Sequence, residues 1–269
     1  MTYRIAIANQ KGGVGKTTIS IGMAGVFSEM GYKVLLVDMD QQGNLSSSFL
    51  DNIHSLKHTV AELLVDDDVE IQQVIKKTQI DGIDILPANL SLSDLDVKLA
   101  GDDDAQYYLL EALQEVESHY DYIIIDCPPS LGRATRMALV AANGLLVPIE
   151  CQEWAVKGSS QLESYVEKVK QRANPSLEIL GFVINKYDSR RSIETTYNQV
   201  LREKYPDKIF KTEIHNNVQY TEAATAKKPI NYYLPGSKQA VAFREFIKEI
   251  LAYVEKSKTS WPSQRERRV

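Results

Sequence analysis

Short apolar runs rich in β-branched residues alternate along this chain with longer segments in which apolar residues recur at helical spacing. Strands buried on both faces produce continuous apolar runs, and the helices that cover them produce the longer amphipathic segments. The alternation predicts an α/β fold in which a doubly wound, mostly parallel sheet carries helices on both faces.

These two patterns define the predicted elements. Strands are expected at residues 4–9, 33–38, 83–88, 121–126, 144–150 and 178–185. Helices are expected at residues 16–30, 59–65, 70–77, 91–99, 104–119, 133–142, 155–173, 193–204 and 238–256. No internal repeat or low-complexity linker divides the chain, so we predict one domain over residues 1–257. Residues 258–269 lose the periodicity and contain Pro262, which predicts a mobile basic C-terminal tail.

The composition agrees with a single cytoplasmic domain. The chain has 269 residues, 43% of them hydrophobic, which is enough for one large core. It lacks an apolar run of about 18 residues, and its start, MTYRIAIANQ, lacks the basic and then apolar architecture of a secretory signal. Two cysteines, Cys127 and Cys151, are too few for a disulfide framework and show no CxxC spacing. We therefore expect reduced thiols and a cytoplasmic location.

The net charge of −5 is unevenly distributed. Residues 1–135 hold 9 basic and 21 acidic residues, whereas residues 136–269 hold 22 basic and 15 acidic residues. Halves of opposite sign suggest that one face meets a polyanion, although a solvated surface with acidic loops explains the same counts. The sequence contains no dense basic run of the kind typical of nucleic-acid binding.

A phosphate-binding loop is predicted in NQKGGVGKTT, residues 9–18, which follows a strand and opens a helix. In this context backbone N–H groups at the helix N-terminus hold phosphate oxygens, and glycines let the chain approach the anion closely. Lys16 would reach the β and γ phosphates of a nucleoside triphosphate, and Thr17 would offer its hydroxyl to Mg²⁺. The predicted nucleotide-binding residues of the loop are Lys11, Gly12, Gly13, Val14, Gly15, Lys16, Thr17 and Thr18.

The loop departs from the common GxxxxGK[ST] pattern, because Gln10 occupies the first position and a second lysine, Lys11, follows it. A solvated surface lysine is the simplest account of an arbitrary lysine, but not of one inside KGGVGKTT. Lys11 begins the loop and is expected to point away from its own nucleotide. Its natural target is then phosphate held by a second subunit, so the two lysines would serve two nucleotides across a face-to-face dimer.

The sequence resembles the deviant Walker-A ATPases of the ParA/Soj and MinD superfamily over nearly its whole length. The family pattern KGGxGKTT is matched at residues 11–18. The family pattern D-x-D-P-Q-G-N is matched by DMDQQGN at 38–44, with Gln41 where proline is usual. The Walker-B pattern, an apolar strand ending in D-C-P-P-S, is matched by IIIDCPPS at 123–130. Three motifs in the family's order carry the resemblance.

The resemblance implies a P-loop ATP hydrolase that needs Mg²⁺ and dimerisation. It implies that Asp126 holds a Mg²⁺-bound water, and that Asp38 and Thr17 complete the metal site. It implies that Asp40 orients or activates the attacking water. Lys11 would act in trans on the partner's phosphates, as an arginine finger does.

Lys11, Lys16 and Asp40 therefore form the predicted catalytic set. Gly12 is expected to matter sterically, because a side chain there would intrude between facing subunits. Gln41, in place of the usual proline, is expected to loosen the first switch loop.

The stretch NKYD, residues 185–188, matches the NKxD element of guanine-binding GTPases and follows an apolar strand. In ParA-like proteins, however, an asparagine near this strand end resembles a ligand of the adenine edge. We therefore predict that Asn185 serves ATP, with GTP as the alternative.

ParA-like dimers bind DNA non-specifically through basic residues of the C-terminal half, and the basic excess there agrees with such binding. Arg190 matches the position of one DNA-contact arginine of the family, and Arg191 lies beside it. The stretch HNNVQYTEA (215–223) resembles the family's PRNVRLAEA, but Asn216 and Gln219 replace both of its arginines.

Other basic residues would then have to compensate for the two missing arginines. The candidates are Lys227, Lys228 and the tail residues Arg265, Arg267 and Arg268. For each of them, a solvated surface charge is an equally good account.

The resemblance thus implies a ParA-like ATPase that closes into a homodimer around ATP and binds nucleoid DNA. Its output would be plasmid or chromosome partition or the positioning of another cargo. A ParB-like adaptor would stimulate hydrolysis and release the subunits.

Three alternatives are compatible with parts of the sequence. A MinD-like ATPase would cycle on membranes through a C-terminal amphipathic helix, but the apolar spacing in 238–256 suits core packing equally, so no stable membrane association is expected. A ParA-like ATPase with a protein assembly as cargo, such as a carboxysome or chemosensory cluster, has the same sequence features, because cargo identity lies in the adaptor.

A dimer bridged by an iron–sulfur cluster would need Cys127 and Cys151, which are better explained as structural thiols.

Overall fold

One sheet runs through the computed structural model, which describes the backbone of residues 2–260 and the side chains of residues 2–152 and 161–255. Its strands are β1 (Tyr3–Ile7), β2 (Val34–Asp38), β3 (Lys76–Lys77), β4 (Ile83–Leu86), β5 (Tyr122–Asp126), β6 (Gly144–Ile149), β7 (Glu178–Tyr187) and β8 (Ile214–His215). Their order is β3-β4-β2-β5-β1-β6-β7-β8, and every neighbouring pair is parallel except β3 with β4. The predicted fold class, a doubly wound and mostly parallel sheet, is confirmed.

The helices lie on both faces of this sheet. They are α1 (Lys16–Glu29), α2 (Asn44–Ser47), α3 (Val60–Leu63), α4 (Ile71–Val74), α5 (Leu95–Lys98), α6 (Tyr108–Val116), α7 (Arg133–Ala141), α8 (Glu153–Arg172), α9 (Ser192–Lys204), α10 (Gln219–Thr225), α11 (Ile230–Tyr233) and α12 (Lys238–Ser260). Short 3₁₀ turns precede α5 and flank α6 at both ends.

Two hydrophobic cores, one on each face, hold the layers together. Alternate residues of a strand point to opposite faces, so Ile123 and Ile125 of β5 belong to one core and Ile124 belongs to the other. The first core packs under α6 and α7, and the second packs under α1 and α12. Both faces of the central strands are therefore buried, which explains why they read as continuous apolar runs.

The six predicted strands are all present, whereas several predicted helices are shorter or interrupted. The helix predicted at 70–77 is wrong at its end, because Lys76 and Lys77 pair antiparallel with β4. The segments predicted as helices at 91–99 and 104–119 each combine a short α-helix with 3₁₀ turns. The elements α2, α10, α11, β3 and β8 were not predicted, since each has seven residues or fewer.

The last helix, α12, ends at Ser260, beyond its predicted end at residue 256. Arg265, Arg267 and Arg268, the basic residues of the predicted tail, lie outside the described residues. Within residues 2–260, no helix combines the length and apolarity that a membrane span requires.

The topology creates a crevice at the carboxyl edge of the sheet. The chain leaves β1 toward β2 on one side and later returns to β6 on the other side of β1. Doubly wound sheets bind ligands where the strand order reverses in this way, outside the carboxyl ends of the strands. The loops after β1, β2 and β5, which carry the three family motifs, meet at this edge.

Candidate functional site

The phosphate loop connects β1 to α1 and needs two left-handed glycines to do so. Gly13 has φ +79° and Gly15 has φ +86°, conformations that residues with a Cβ atom rarely adopt. The chain then enters α1 at Lys16, whose side chain is buried. A Cβ atom added to Gly15 would lie 2.1 Å from Nδ2 of Asn185, so the loop and the end of β7 are in close contact.

Asn185 holds this loop in place. Its side chain is buried, and its amide Nδ2 donates a hydrogen bond of 2.7 Å to the carbonyl oxygen of Val14. This contact joins the phosphate loop to β7 across 171 residues of sequence. Asn185 was predicted as a base ligand, and its observed contact is a support of the loop backbone.

Asp126 lies at the centre of the site, at the end of β5. Its carboxylate accepts a hydrogen bond of 2.7 Å from the hydroxyl of Thr17 and one of 3.1 Å from the hydroxyl of Ser20. Thr17 and Ser20 are three residues apart on α1 and therefore share a face of the helix. Ser20 was missed from the sequence, although this spacing is the signal that would have indicated it.

Asp38 ends β2 directly opposite Asp126, because these two residues are paired in the β2–β5 register. Its carboxylate accepts the backbone N–H of Ser46 at 2.8 Å, the hydroxyl of Ser46 at 2.7 Å and the backbone N–H of Asp40 at 3.1 Å. Asp38 thus fixes both ends of the motif loop that follows β2. Ser46 is a second residue that sequence reasoning missed.

The two carboxyl groups share a buried, electrostatically unfavourable position. Burial raises the pKa of Asp126 to about 7, with the charge of Asp38 as the second cause. Burial likewise raises the pKa of Asp38 to about 6, opposed by the hydrogen bonds from Ser46 and Asp40. Neighbouring carboxylates in a low-dielectric environment favour a cation between or beside them.

This donor set fits Mg²⁺. Among the described residues, no cluster of three or more His, Cys, Asp or Glu side chains is arranged around one metal position. Mg²⁺ is commonly held by one or two carboxylates together with substrate phosphates, and it keeps oxygen ligands only. Asp126, Asp38 and the hydroxyl of Thr17 supply that kind of partial shell beside the phosphate loop.

Asp40 lies at the entrance of the site and is half-buried. Its carboxylate accepts the N–H of Gln42 at 3.0 Å, and its carbonyl accepts the N–H of Gly43 at 2.9 Å. It lines a cavity of about 310 Å³ together with residues 128–130 of the Walker-B segment. The exposed Gln41, which replaces the usual proline, lines the same cavity.

The two lysines of the loop have different neighbours, since Lys16 lies near Asp126 whereas Lys11 pairs with residues that follow β6. The ammonium of Lys11 is 2.6 Å from the carboxylate of Glu150 and 2.9 Å from the side-chain oxygen of Gln152. Glu150 and Gln152 follow β6, the neighbour of β1, so the sheet order brings them to the loop. Neither residue was predicted to belong to the site.

Gly12 is exposed at the tip of the loop, next to Lys11. An added Cβ atom would lie 3.7 Å from Cβ of Pro129, which is an ordinary van der Waals distance. Packing within the protomer therefore leaves room for a side chain at this position.

A second cavity, of about 530 Å³, opens beside Thr17 and Thr18. It lies between α1, the segment that contains Asn44 and Ser47, and helix α10. Its volume is within the range of sites for small organic ligands.

The two predicted DNA-contact arginines are engaged with acidic neighbours. The guanidinium of Arg190 donates two hydrogen bonds of 2.8 Å to the carboxylate of Asp188, which lowers the pKa of Asp188 to about 2. Arg191 lies 3.7 Å from Asp188 and 3.1 Å from Glu194. Two exposed arginines and two half-buried carboxylates thus form a compact group of opposite charges.

The two predicted lysine contacts have different surroundings. The ammonium of Lys227 is directed inward, to the backbone carbonyl oxygens of Ser47 and Leu50. Lys228 lines the 530 Å³ cavity next to the phosphate loop.

The apolar face of α12 packs on the protein's own core. Phe243, Phe246, Ile247 and Ile250 are completely buried, and Phe243 lies against Gly22 of α1, where an added Cβ atom would come within 2.2 Å. This apolar face is therefore buried within the protomer, as the core-packing interpretation of residues 238–256 predicts.

Both cysteines are buried thiols. Cys127 donates to the carbonyl oxygen of Ile125 at 3.9 Å, and Cys151 follows β6. Burial raises the pKa of both thiols, that of Cys151 to about 12.

Comparison with known proteins agrees with the motifs and with the fold. Residues 2–179 match the family model described as an AAA domain. The chain is 38% identical over 248 residues to the sporulation initiation inhibitor protein Soj of Bacillus subtilis, covering 92% of this chain and 98% of Soj. It is 36% identical over 247 residues to the chromosome partitioning protein ParA of Myxococcus xanthus, covering 92% of this chain and 87% of that protein.

A similar solved structure is that of cobyrinic acid a,c-diamide synthase from Mycobacterium smegmatis with bound ADP and magnesium. Its TM-score is 0.84 at 33% identity, over 96% of this chain and 97% of that chain. The family matches, the three ordered motifs and the doubly wound sheet lead to one conclusion. The chain belongs to the AAA-domain family as a ParA/Soj-like P-loop ATPase of the ParA/MinD group.

Proposed function

We propose that this protein is a Mg²⁺-dependent ATP hydrolase whose ATP-bound form is a homodimer. The observation that carries this proposal is the geometry around one loop. Lys16 and Thr17 lie beside the buried carboxylate of Asp126, whereas the ammonium of Lys11 pairs with Glu150, just past β6. A lysine in that position serves no phosphate of its own site, and a facing protomer supplies the phosphate that it would contact.

Each predicted residue has a chemical task in this reaction. Hydrolysis of a phosphoanhydride needs charge neutralisation and a positioned water more than covalent work by the protein. Lys16 neutralises the β and γ phosphates, and Asp40 orients the attacking water. Lys11 of the partner places positive charge beside the negative charge that develops on the phosphate. Thr17, Asp38 and Asp126 would hold Mg²⁺, which would supply positive charge that neutralises the phosphates.

ATP is the proposed nucleotide, in preference to GTP. In the NKxD element a guanine base would be recognised by the aspartate, which here is Asp188. That carboxylate is bound by the guanidinium of Arg190 through two hydrogen bonds, which compete with a base ligand. Asn185, at the end of β7, remains the proposed adenine-side residue, and its amide also supports the phosphate loop. A competition titration tests this assignment, and tighter binding of GTP than of ATP would overturn it.

The proposed output is a dimer that exists with ATP and dissociates after hydrolysis. The ATP-bound dimer would bind non-specific DNA of the nucleoid, and a ParB-like adaptor would stimulate hydrolysis. Membership of the family of Soj and ParA supports this role, as does the basic excess of residues 136–269. Plasmid or chromosome partition is the proposed function, and positioning of a protein assembly by the same switch is its nearest variant.

The arginine pair limits how DNA contact is made. Arg190 and Arg191 would have to exchange their acidic partners for phosphate, so each is expected to contribute less than a free arginine. A measurement of affinity against salt separates these contributions, because each lost phosphate contact reduces the salt slope by about 1.

Sedimentation velocity with random duplex DNA tests the proposed function. The protein alone and with ADP is expected to be monomeric, whereas ATP is expected to give dimers that bind the duplex at low salt. Liposomes in place of DNA test the membrane-cycling alternative in the same experiment. Dimers that bind liposomes and ignore DNA would contradict the partition role.

A further inference from the structure

Lys227 occupies a backbone position that is unfavourable for a lysine. It follows the C-cap of α10, Ala226, and its φ of +57° lies in the left-handed region. The N–H of Lys227 closes the turn onto the carbonyl oxygen of Ala224, and the N–H of Lys228 does the same onto Ala223. Helices commonly end with glycine in this conformation, because a Cβ atom is strained there. A lysine at such a place indicates that its side chain has a use.

The side chain has specific partners on another part of the chain. Its ammonium donates to the carbonyl oxygen of Ser47 at 2.5 Å and to that of Leu50 at 2.6 Å. The carbonyls of the last turn of a helix have no partner inside the helix and attract cations, and these two lie at and just beyond the end of α2. A third contact, 3.4 Å to Asp51, contributes little because the side chain of Asp51 is 86% exposed.

The segment that Lys227 holds is the one that contains Asp40. At its start, Asp38 binds the backbone N–H of Asp40 and both donors of Ser46. At its end, Lys227 binds the carbonyls of residues 47 and 50. Residues 38–51 are therefore fixed at two adjoining points, since Asp38 holds residues 40 and 46 and Lys227 holds residues 47 and 50.

The turn that carries Lys227 is itself anchored. The side chain of Gln79, from the connection between β3 and β4, donates a hydrogen bond of 2.8 Å to the carbonyl oxygen of Lys227. The position of the ammonium is thus defined by α10 on one side and by the sheet edge on the other.

We propose that Lys227 is a positioning residue for Asp40, and that it sets the geometry of residues 38–51 from the turn after α10. The catalytic part of this inference rests on the proposed role of Asp40. Lys227 was predicted as a DNA contact, and the proposal gives its ammonium a different partner. Movement of α10 would be transmitted through this ammonium to the loop that orients the attacking water.

The substitution Lys227→Gly tests the proposal without straining the turn, because glycine suits the left-handed backbone. Lys227→Arg keeps a cation with several donors, and Lys168→Ala removes one exposed lysine of α8 as the matched charge control. In the nucleotide-free protein, amide hydrogen exchange of residues 47–52 is expected to accelerate at least about fivefold in Lys227→Gly. Exchange in the rest of the chain should match the wild type.

Steady-state kinetics supply the second readout. Lys227→Gly is expected to lower kcat for ATP severalfold with little change in KM, because the phosphate loop is untouched. Lys227→Arg should recover most of kcat, and Lys168→Ala should leave kcat unchanged. If Lys227 only stabilised the fold, Lys227→Gly would lower the melting temperature but would not lower kcat at an unchanged KM.

The two readouts fail separately. Unchanged exchange of residues 47–52 in Lys227→Gly would overturn the proposal at its structural step. Accelerated exchange with unchanged kcat would overturn the link to Asp40. Absence of ATP hydrolysis in the wild type would contradict the proposed function, and the exchange measurement would still report whether the ammonium holds the segment. If Lys227→Gly lost DNA affinity while its hydrogen exchange and kcat stayed normal, Lys227 would act as a DNA contact, as the sequence predicts. That result would reject the inference.

Discussion

The ammonium of Lys11 lies 2.6 Å from the carboxylate of Glu150 within the same protomer. The proposed mechanism sends this lysine to the nucleotide of the facing protomer, so the ion pair must break when the dimer forms. A symmetric dimer breaks one such pair in each protomer. In the proposed mechanism, Glu150 would therefore oppose dimerisation and hold Lys11 until ATP is present in both subunits.

Glu150→Gln is expected to favour the ATP-bound dimer. A partly exposed ion pair contributes about 0.5–1 kcal/mol, and two pairs are lost per dimer. The dimer dissociation constant should therefore fall roughly 5- to 30-fold. Sedimentation equilibrium with ATP, in a background that does not hydrolyse it, measures this constant. Glu115→Gln, at an exposed position of α6, removes the same charge as a control, and equal effects of the two variants would reject a specific role for Glu150.

Gly12 and Gly15 are expected to respond in opposite ways to alanine. At Gly12 the protomer has room for a Cβ atom, so Gly12→Ala should fold and bind ATP but should impair dimerisation. At Gly15 the φ of +86° and the 2.1 Å approach to Asn185 leave no room. Gly15→Ala should therefore lose about 2–4 kcal/mol of unfolding free energy. Thermal melts and analytical gel filtration of both variants check this contrast, and equal melting temperatures would contradict it.

Asp126→Asn is expected to stabilise the nucleotide-free protein while it weakens Mg²⁺-dependent nucleotide binding. Burial raises the pKa of Asp126 from 3.8 to about 7, so the folded chain binds this proton more tightly than the unfolded chain does. The free energy of unfolding should then fall as the pH rises from 3.8 to about 7. This decrease should be smaller in Asp126→Asn than in the wild type. Urea unfolding between pH 5 and pH 8 measures it. Identical pH dependence in the variant and the wild type would show that ionisation of the buried Asp126 carboxyl group does not lower the free energy of unfolding.

The central strands could be predicted because burial on both faces dictates their composition. Residues of β5 fill two cores at once, and only apolar side chains do so. The same logic fails at residues 70–77, where helical spacing ends in two lysines that pair along the sheet edge. Short elements such as α2 and α10 contain too few residues for a periodic signal.

Within the site, the family motifs indicated the groups that share one loop or one strand end. The contacts between distant segments were not predictable, since local spacing carries no information about them. Lys11 meets Glu150 across 139 residues, and Lys227 meets Leu50 across 177 residues. The topology of the sheet and the turn after α10 create these contacts, and each gives a lysine a partner within the protomer.

Asp40→Ala is expected to trap the ATP-bound dimer. The side chain of Asp40 accepts the N–H of Gln42 within its own loop, so its loss should leave the fold intact. Loss of the group that orients the attacking water should reduce hydrolysis by about 10²- to 10⁴-fold. Gel filtration with ATP should then show long-lived dimers. A variant that stays monomeric with ATP would contradict this role.

A mixing experiment tests the action of Lys11 across the dimer most directly. Lys11→Ala and Asp40→Ala are each expected to be inactive alone, because each lacks one part of every site. In a heterodimer, the nucleotide site of the Lys11→Ala protomer keeps Asp40 and receives Lys11 from its partner. Random mixing should therefore restore roughly a quarter of the wild-type ATPase rate, since half of the dimers contain one complete site. A mixture as inactive as its components would contradict the trans role of Lys11.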